Sequence, residues 1–224
     1  MIRDVDVLVR EWADPHVAAD HELAALLAPW ERVVVVGDSI AEGVREPAPG
    51  YRDLSWADRL GAGVEVTNLG RRSLTAAEIR ATQLEEAVAL RPDLAIVVAG
   101  GNDLRRPAFD AEALRAELLA LLMPLRATGA DLLTMDLFDS AHNPYVAPRV
   151  AATMSARLAQ LVDVTRAASA EAGGWHARLR DHPAATDTDI YARDGLHLNA
   201  RGHAIVATAL ARGLRAVSGP PARG

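Results

Sequence analysis

The chain has 224 residues, half of them apolar and 24% charged, which suits one medium-sized globular domain with a full hydrophobic core and not a disordered segment. A formal net charge of -6 argues against nucleic-acid binding, which needs a basic surface to displace counterions. The absence of cysteine removes disulfides, thiolate nucleophiles and thiolate metal sites together, and every basic side chain is arginine, a compositional bias without functional meaning.

Residues 1–30 read as an N-terminal helical extension, with "DHELAALLAPW" (20–30) apolar enough to pack on a sheet edge. No apolar stretch followed by a small-residue cleavage site opens the chain, and no run approaches the roughly 18 apolar residues of a membrane span. A cytoplasmic protein without membrane or nucleic-acid partners is expected. The continuous run "RVVVVGD" (32–38) predicts a strand buried on both faces. A second strand is predicted over 64–70, a third over 94–103, a fourth over 131–138 and a weaker fifth over 174–181. Helical spacing occupies 75–90, 110–129, 146–173 and 198–216, with Asp110 and Asn199 as caps and Gly129 as a stop. The loop 139–148, after the fourth strand, is either the roof of a pocket, with Tyr145 as a wall residue, or an ordinary surface turn. The tail, 217–224, reads as flexible.

Strands alternating with helices imply a parallel α/β sheet covered on both faces, whose functional groups gather beyond the carboxyl ends of the strands. Polar residues cluster at those ends: Gly37-Asp38-Ser39, Asn68-Leu69-Gly70 and Gly100-Gly101-Asn102-Asp103, with Asp194-Gly195-Leu196-His197 before the last helix. A serine hydroxyl becomes a useful nucleophile when a base removes its proton and a third group orients that base. Ser39, His197 and Asp194 supply these types, and the Ser39 and Gly70 amides with the Asn102 side chain supply donors for an oxyanion hole. Asp38 is expected to cap the turn after the first strand, and Asp103 to be a local hydrogen-bond partner. His203, six residues past His197, raises a metal site that lacks acidic partners, so none is expected. His142, His176 and His182 have no recognisable partner and are expected in surface or loop positions.

The four blocks, in order, resemble the SGNH hydrolase superfamily, the GDSL-type esterases and lipases, from about residue 32 to 210. The longer matches "AGGNDLRRP" (99–107) and "DGLHLNARGH" (194–203) resemble its intracellular bacterial branch. That resemblance implies a flavodoxin-like three-layer α/β/α sandwich with a five-stranded parallel sheet over 31–216. It implies hydrolysis of a small-molecule ester or thioester without metal or cofactor, through an acyl-enzyme on Ser39. His197 would be the base, Asp194 its orienting acid, and Ser39, Gly70 and Asn102 the oxyanion hole. The first block carries isoleucine where leucine is usual, and "RRSLT" (71–75) replaces a further glycine common in the family. Arg71, Arg72, Arg105 and Arg106 follow two site-forming strands and read either as solvated surface charge or as groups that recognise an anionic acyl or alcohol portion of the substrate, with Arg72, Arg105 and Tyr145 the candidates for substrate contact. An acyltransferase with the same triad, or a non-catalytic flavodoxin-like small-molecule-binding domain, are the alternatives.

Overall fold

The computed structural model describes residues 9–106 and 109–218. Five strands form one parallel sheet: β1 (Arg32–Gly37), β3 (Glu65–Asn68), β4 (Leu94–Val98), β5 (Asp131–Met135) and β6 (Trp175–Ala177), in the spatial order β3-β1-β4-β5-β6. The valine run forms β1 because β-branched side chains suit a pleated strand with both faces buried. Val33 and Val35 point into one core and Val34 and Val36 into the other. Against the first face lie α2 (Asp20–Leu27), α4 (Trp56–Leu60) and α9 (Ala200–Ser218), through Leu27, Trp56, Leu60 and Leu210. Against the second lie α5 (Ala76–Ala89), α7 (Ala111–Ala127) and α8 (Pro148–Glu171), through Ile79, Leu118, Leu121 and Leu161. The three layers of the expected sandwich are thus present.

Several predicted ends move. The third strand stops at Val98, because Gly100, at φ 104°, turns the chain into the short helix α6 (Gly101–Leu104). The fifth strand is three residues long, and 179–181 is a 3-10 turn. Asp110 caps α7, its Oδ1 accepting the N–H groups of Glu112 and Ala113, and Gly129 follows that helix at φ 94°. Asn199 caps α9 in the same way through Arg201 and Gly202. Helix α4 was not expected, although Ser55 and Asp58 form a capping box at its start. Within 1–30 the structure describes α1 (Val9–Ala13) and α2. The first eight residues, and 219–224 of the expected tail, lie outside the described residues, while 217 and 218 continue α9.

A two-stranded parallel pair, β2 (Arg45–Glu46) with β7 (Leu198–Asn199), stands apart from the main sheet. It matters for the site because β7 directly follows His197, whereas β2 follows α3 (Ser39–Glu42) after a two-residue gap. Among the described residues no helix is long and apolar enough to cross a membrane.

Candidate active site

The chain leaves β1 for β3 on one side and then returns to β4 on the other, so the order of strands switches at β1. Open α/β sheets bind ligands in the crevice at that switch. Gly37 pairs in register with Val98, which brings the residues after β1 beside those after β4. Asp38 caps the turn into α3 through Ile40 N–H, and Ser39 is the first residue of that helix.

The Ser39 hydroxyl meets the His197 ring from 158 residues away, with Oγ 2.8 Å from Nε2. On the other side of the ring, Nδ1 is 2.6 Å from Asp194 Oδ2. Asp194 in turn accepts the backbone N–H groups of Leu196 and His197 on Oδ1, at 2.8 and 2.9 Å. Gly195 makes this tight loop feasible at φ 72°, a conformation that a side chain resists. With Nδ1–H held by a carboxylate, Nε2 keeps its lone pair for the serine proton. Burial works against ionisation of Asp194, but the His197 and Leu196 N–H groups and the imidazole outweigh it and hold the carboxyl below its usual range.

The expected hole donors are arranged unequally. Ser39 N–H has no acceptor among the described residues. Asn102 faces the same cleft as Ser39, with its Nδ2 donating to the Leu74 carbonyl at 2.9 Å and to Asp38 Oδ2 at a longer 3.2 Å. Gly70 lies outside the cleft lining, and its N–H closes an Asx turn on Asn68 Oδ1 at 2.9 Å. Only glycine suits that position, since a Cβ there would stand 2.4 Å from Glu42 N. Asp38 is almost fully buried, and burial pushes its carboxyl up to about 6 despite the Ile40 N–H and the nearby imidazole. Asp103 accepts Ala76 N–H at the start of α5, the local role expected of it.

The cleft has a volume of about 570 Å³ and opens beside Ser39 between α6, the loop before α8 and the 194–196 turn. Leu137, Met154, Leu158 and Leu196 give it an apolar wall, and Arg105 and Tyr145 also line it. Arg72 does not. It is exposed and forked onto Glu42, which also accepts its backbone N–H. Arg157, unmarked in the sequence, lines the cleft from α8. Its signal there is only helical phase relative to Met154 and Leu158.

The remaining histidines are engaged elsewhere. His203 is buried in α9, with Nδ1 accepting Trp56 N–H at 3.1 Å and Nε2 3.3 Å from the Val44 carbonyl, and burial lowers its pKa to about 4. Contrary to expectation, His176 has a partner: Nδ1 lies 2.8 Å from Thr134 Oγ1 on the neighbouring strand, and burial lowers its pKa to about 4. His182 likewise accepts Ala184 N–H and packs edge-on against His16 and Phe138. His142 is exposed in a 3-10 turn. Among the described residues no group of three or more His, Cys, Asp or Glu is placed to hold a metal ion.

The sequence pattern of the GDSL-like lipase/acylhydrolase family matches residues 35–205, most of the chain. The chain belongs to that family. The family places it among the ester hydrolases as an SGNH-type esterase. Solved structures of similar fold include the acetylxylan esterase Axe2 from Geobacillus stearothermophilus, at a TM-score of 0.61 and 20% identity over 82% of this chain and 94% of that one. The lipase/acylhydrolase from Enterococcus faecalis superposes at 0.63, with 18% identity over 87% of this chain and 100% of its own. LAE5, an alpha/beta hydrolase enzyme from the metagenome of Lake Arreo, gives 0.63 at 19% identity over 82% and 94%. No curated protein matches the sequence.

Proposed function

We propose that this GDSL-family esterase cleaves a carboxylic ester or thioester through an acyl-enzyme on Ser39. The continuous Ser39–His197–Asp194 hydrogen-bond chain, opening on a cleft, is the observation that carries the reading. Ser39 Oγ attacks the carbonyl carbon while His197 Nε2 takes its proton. Asp194 keeps the ring in the required tautomer and stabilises the imidazolium that forms. The tetrahedral intermediate collapses, the carbon–oxygen or carbon–sulfur bond to the leaving group breaks, and His197 returns the proton to the departing alcohol or thiol. Water then adds to the acyl-enzyme with the same base, releasing the acid and restoring Ser39.

The negative oxygen of each intermediate would be held by Ser39 N–H and Asn102 Nδ2, the latter giving up its longer bond to Asp38. Gly70 N–H would join them by exchanging its Asn68 acceptor. The apolar wall receives the acyl chain, and Tyr145 flanks the opening. A fluorophosphonate probe tests the central step: it should label the wild-type chain on Ser39 and leave Ser39→Ala unlabelled. Unlabelled wild type, with no turnover of 4-nitrophenyl esters, would overturn the reading.

A further inference from the structure

One rim of the cleft is charged. Arg105 immediately follows α6, Arg157 lies in the middle of α8, and both line the cleft. Arg157 Nη1 donates to the Leu104 carbonyl at 3.2 Å, and that carbonyl leads directly into Arg105, so the Arg157 guanidinium lies against the backbone from which the Arg105 side chain leaves. Asn102 and Arg105 are three residues apart at a helical turn and share a face. At helical rise, the Arg105 backbone sits about 4.5 Å further along the axis.

What distinguishes this pair is that it lines the cleft without counter-charge, whereas Arg71, Arg106 and Arg149, which also have no ion-pair partner among the described residues, lie outside the cleft lining. Around the same end of the molecule Arg45 is held by Asp53, Arg72 by Glu42, Arg180 by Asp139 and Arg193 by Glu46. Neither Arg105 nor Arg157 has an ion-pair partner among the described residues. The carboxylates of the cleft are engaged already: Asp38 by Ile40 N–H and Asn102, and Asp194 by His197 and Leu196. The cleft that the two arginines share with Ser39 is also lined by Leu104, Met154 and Leu158. Two forked cations with no partner, beside an apolar wall, match an oxyanion carried at the far end of an aliphatic chain.

We infer that Arg105 and Arg157 form an anion subsite, and that the preferred substrates are esters whose acyl chain ends in a carboxylate or phosphate. This rests on the esterase reading above and adds the substrate class to it. The guanidiniums bind the terminal oxyanion while the chain lies on the apolar wall and the carbonyl reaches Ser39.

The test compares kcat/KM for 4-nitrophenyl valerate and for the mono-4-nitrophenyl ester of glutaric acid, whose acyl chains have equal length and differ in the terminal carboxylate. The wild type should favour the glutarate monoester, and Arg105→Gln/Arg157→Gln should lower that preference about tenfold or more, mainly through KM. Added salt should shrink the preference in the wild type and not in the double variant. Arg166→Gln, whose guanidinium pairs with Asp163 further along α8, should leave it unmoved. An equal preference in wild type and double variant, or a wild type that rejects the glutarate monoester, overturns the inference. Turnover of neither ester, with Ser39 unlabelled by the fluorophosphonate, takes down the esterase reading and the subsite with it.

Discussion

Glu11 and His197 are both buried polar side chains, yet their surroundings differ in one respect. The Glu11 carboxylate receives Arg59 Nη1 and Nη2 at 2.8 and 3.1 Å, Arg52 Nε at 2.8 Å and Arg52 N–H at 2.7 Å, so its acceptor capacity is used up inside the protein. Next to it Asp14 is held by Tyr51 and Arg201, another closed set. His197 instead ends in a serine hydroxyl that faces a cleft. A closed network of this kind ties α1 to α4 and the loop before it. An open one retains a reactive valence. Residue type does not decide between them: His203, only six positions past His197, has both ring nitrogens engaged and belongs with Glu11.

The contrast can be broken in four ways. Ser39→Ala should reduce ester turnover by roughly 10⁴-fold or more while thermal unfolding is unchanged. A large fall in Tm for that variant would place Ser39 on the closed side. Arg59→Ala should do the opposite, costing about 3–5 kcal/mol of stability by leaving the Glu11 charge buried without its main partner. Denaturant titration measures it, and a loss below about 1 kcal/mol would show that Arg52 alone suffices. Asn102→Ala should lower kcat about 10²–10³-fold with KM little altered, since a proposed oxyanion donor would act on charge that develops during reaction.

The smallest expected effect concerns pH. Burial keeps His203 neutral in the fold with a pKa near 4 instead of 6.5. The unfolded chain therefore takes up a proton that the folded one refuses, and stability present above pH 6.5 is lost as pH falls towards 4. The loss amounts to about 3 kcal/mol for this residue. His176 titrates in the same direction over the same window. His203→Gln should flatten the dependence of stability on pH in that range, and an unchanged slope would sink the assignment.

Local patterns in the sequence account for most of this architecture. The continuous valines of β1 and the caps Asp110 and Asn199 act within a few residues of themselves, so strands, helices and their caps are readable from nearby chemistry. The capping box of α4 was equally local but lay in a five-residue helix, too short for periodicity to declare it. Contacts between distant segments were not readable. The Thr134–His176 bond depends on strand register, and the pairing of Arg72 with Glu42 depends on how the loop after β3 lies over α3. Arg157 belongs to this group as well, because the rotation of α8 about its axis decides which of its residues border the cleft. The four polar blocks were legible because each sits at a strand end or before a helix cap, where the topology brings them together.

The two-residue pairing of β2 with β7 has a consequence for biosynthesis. A nascent polypeptide that has not yet emerged as far as Leu198 has already made its serine but lacks the partner strand that seats His197 beside it. If Ser39 and His197 act as proposed, the hydroxyl would therefore lack its base on the ribosome, and hydrolysis would begin only when the C-terminal segment docks.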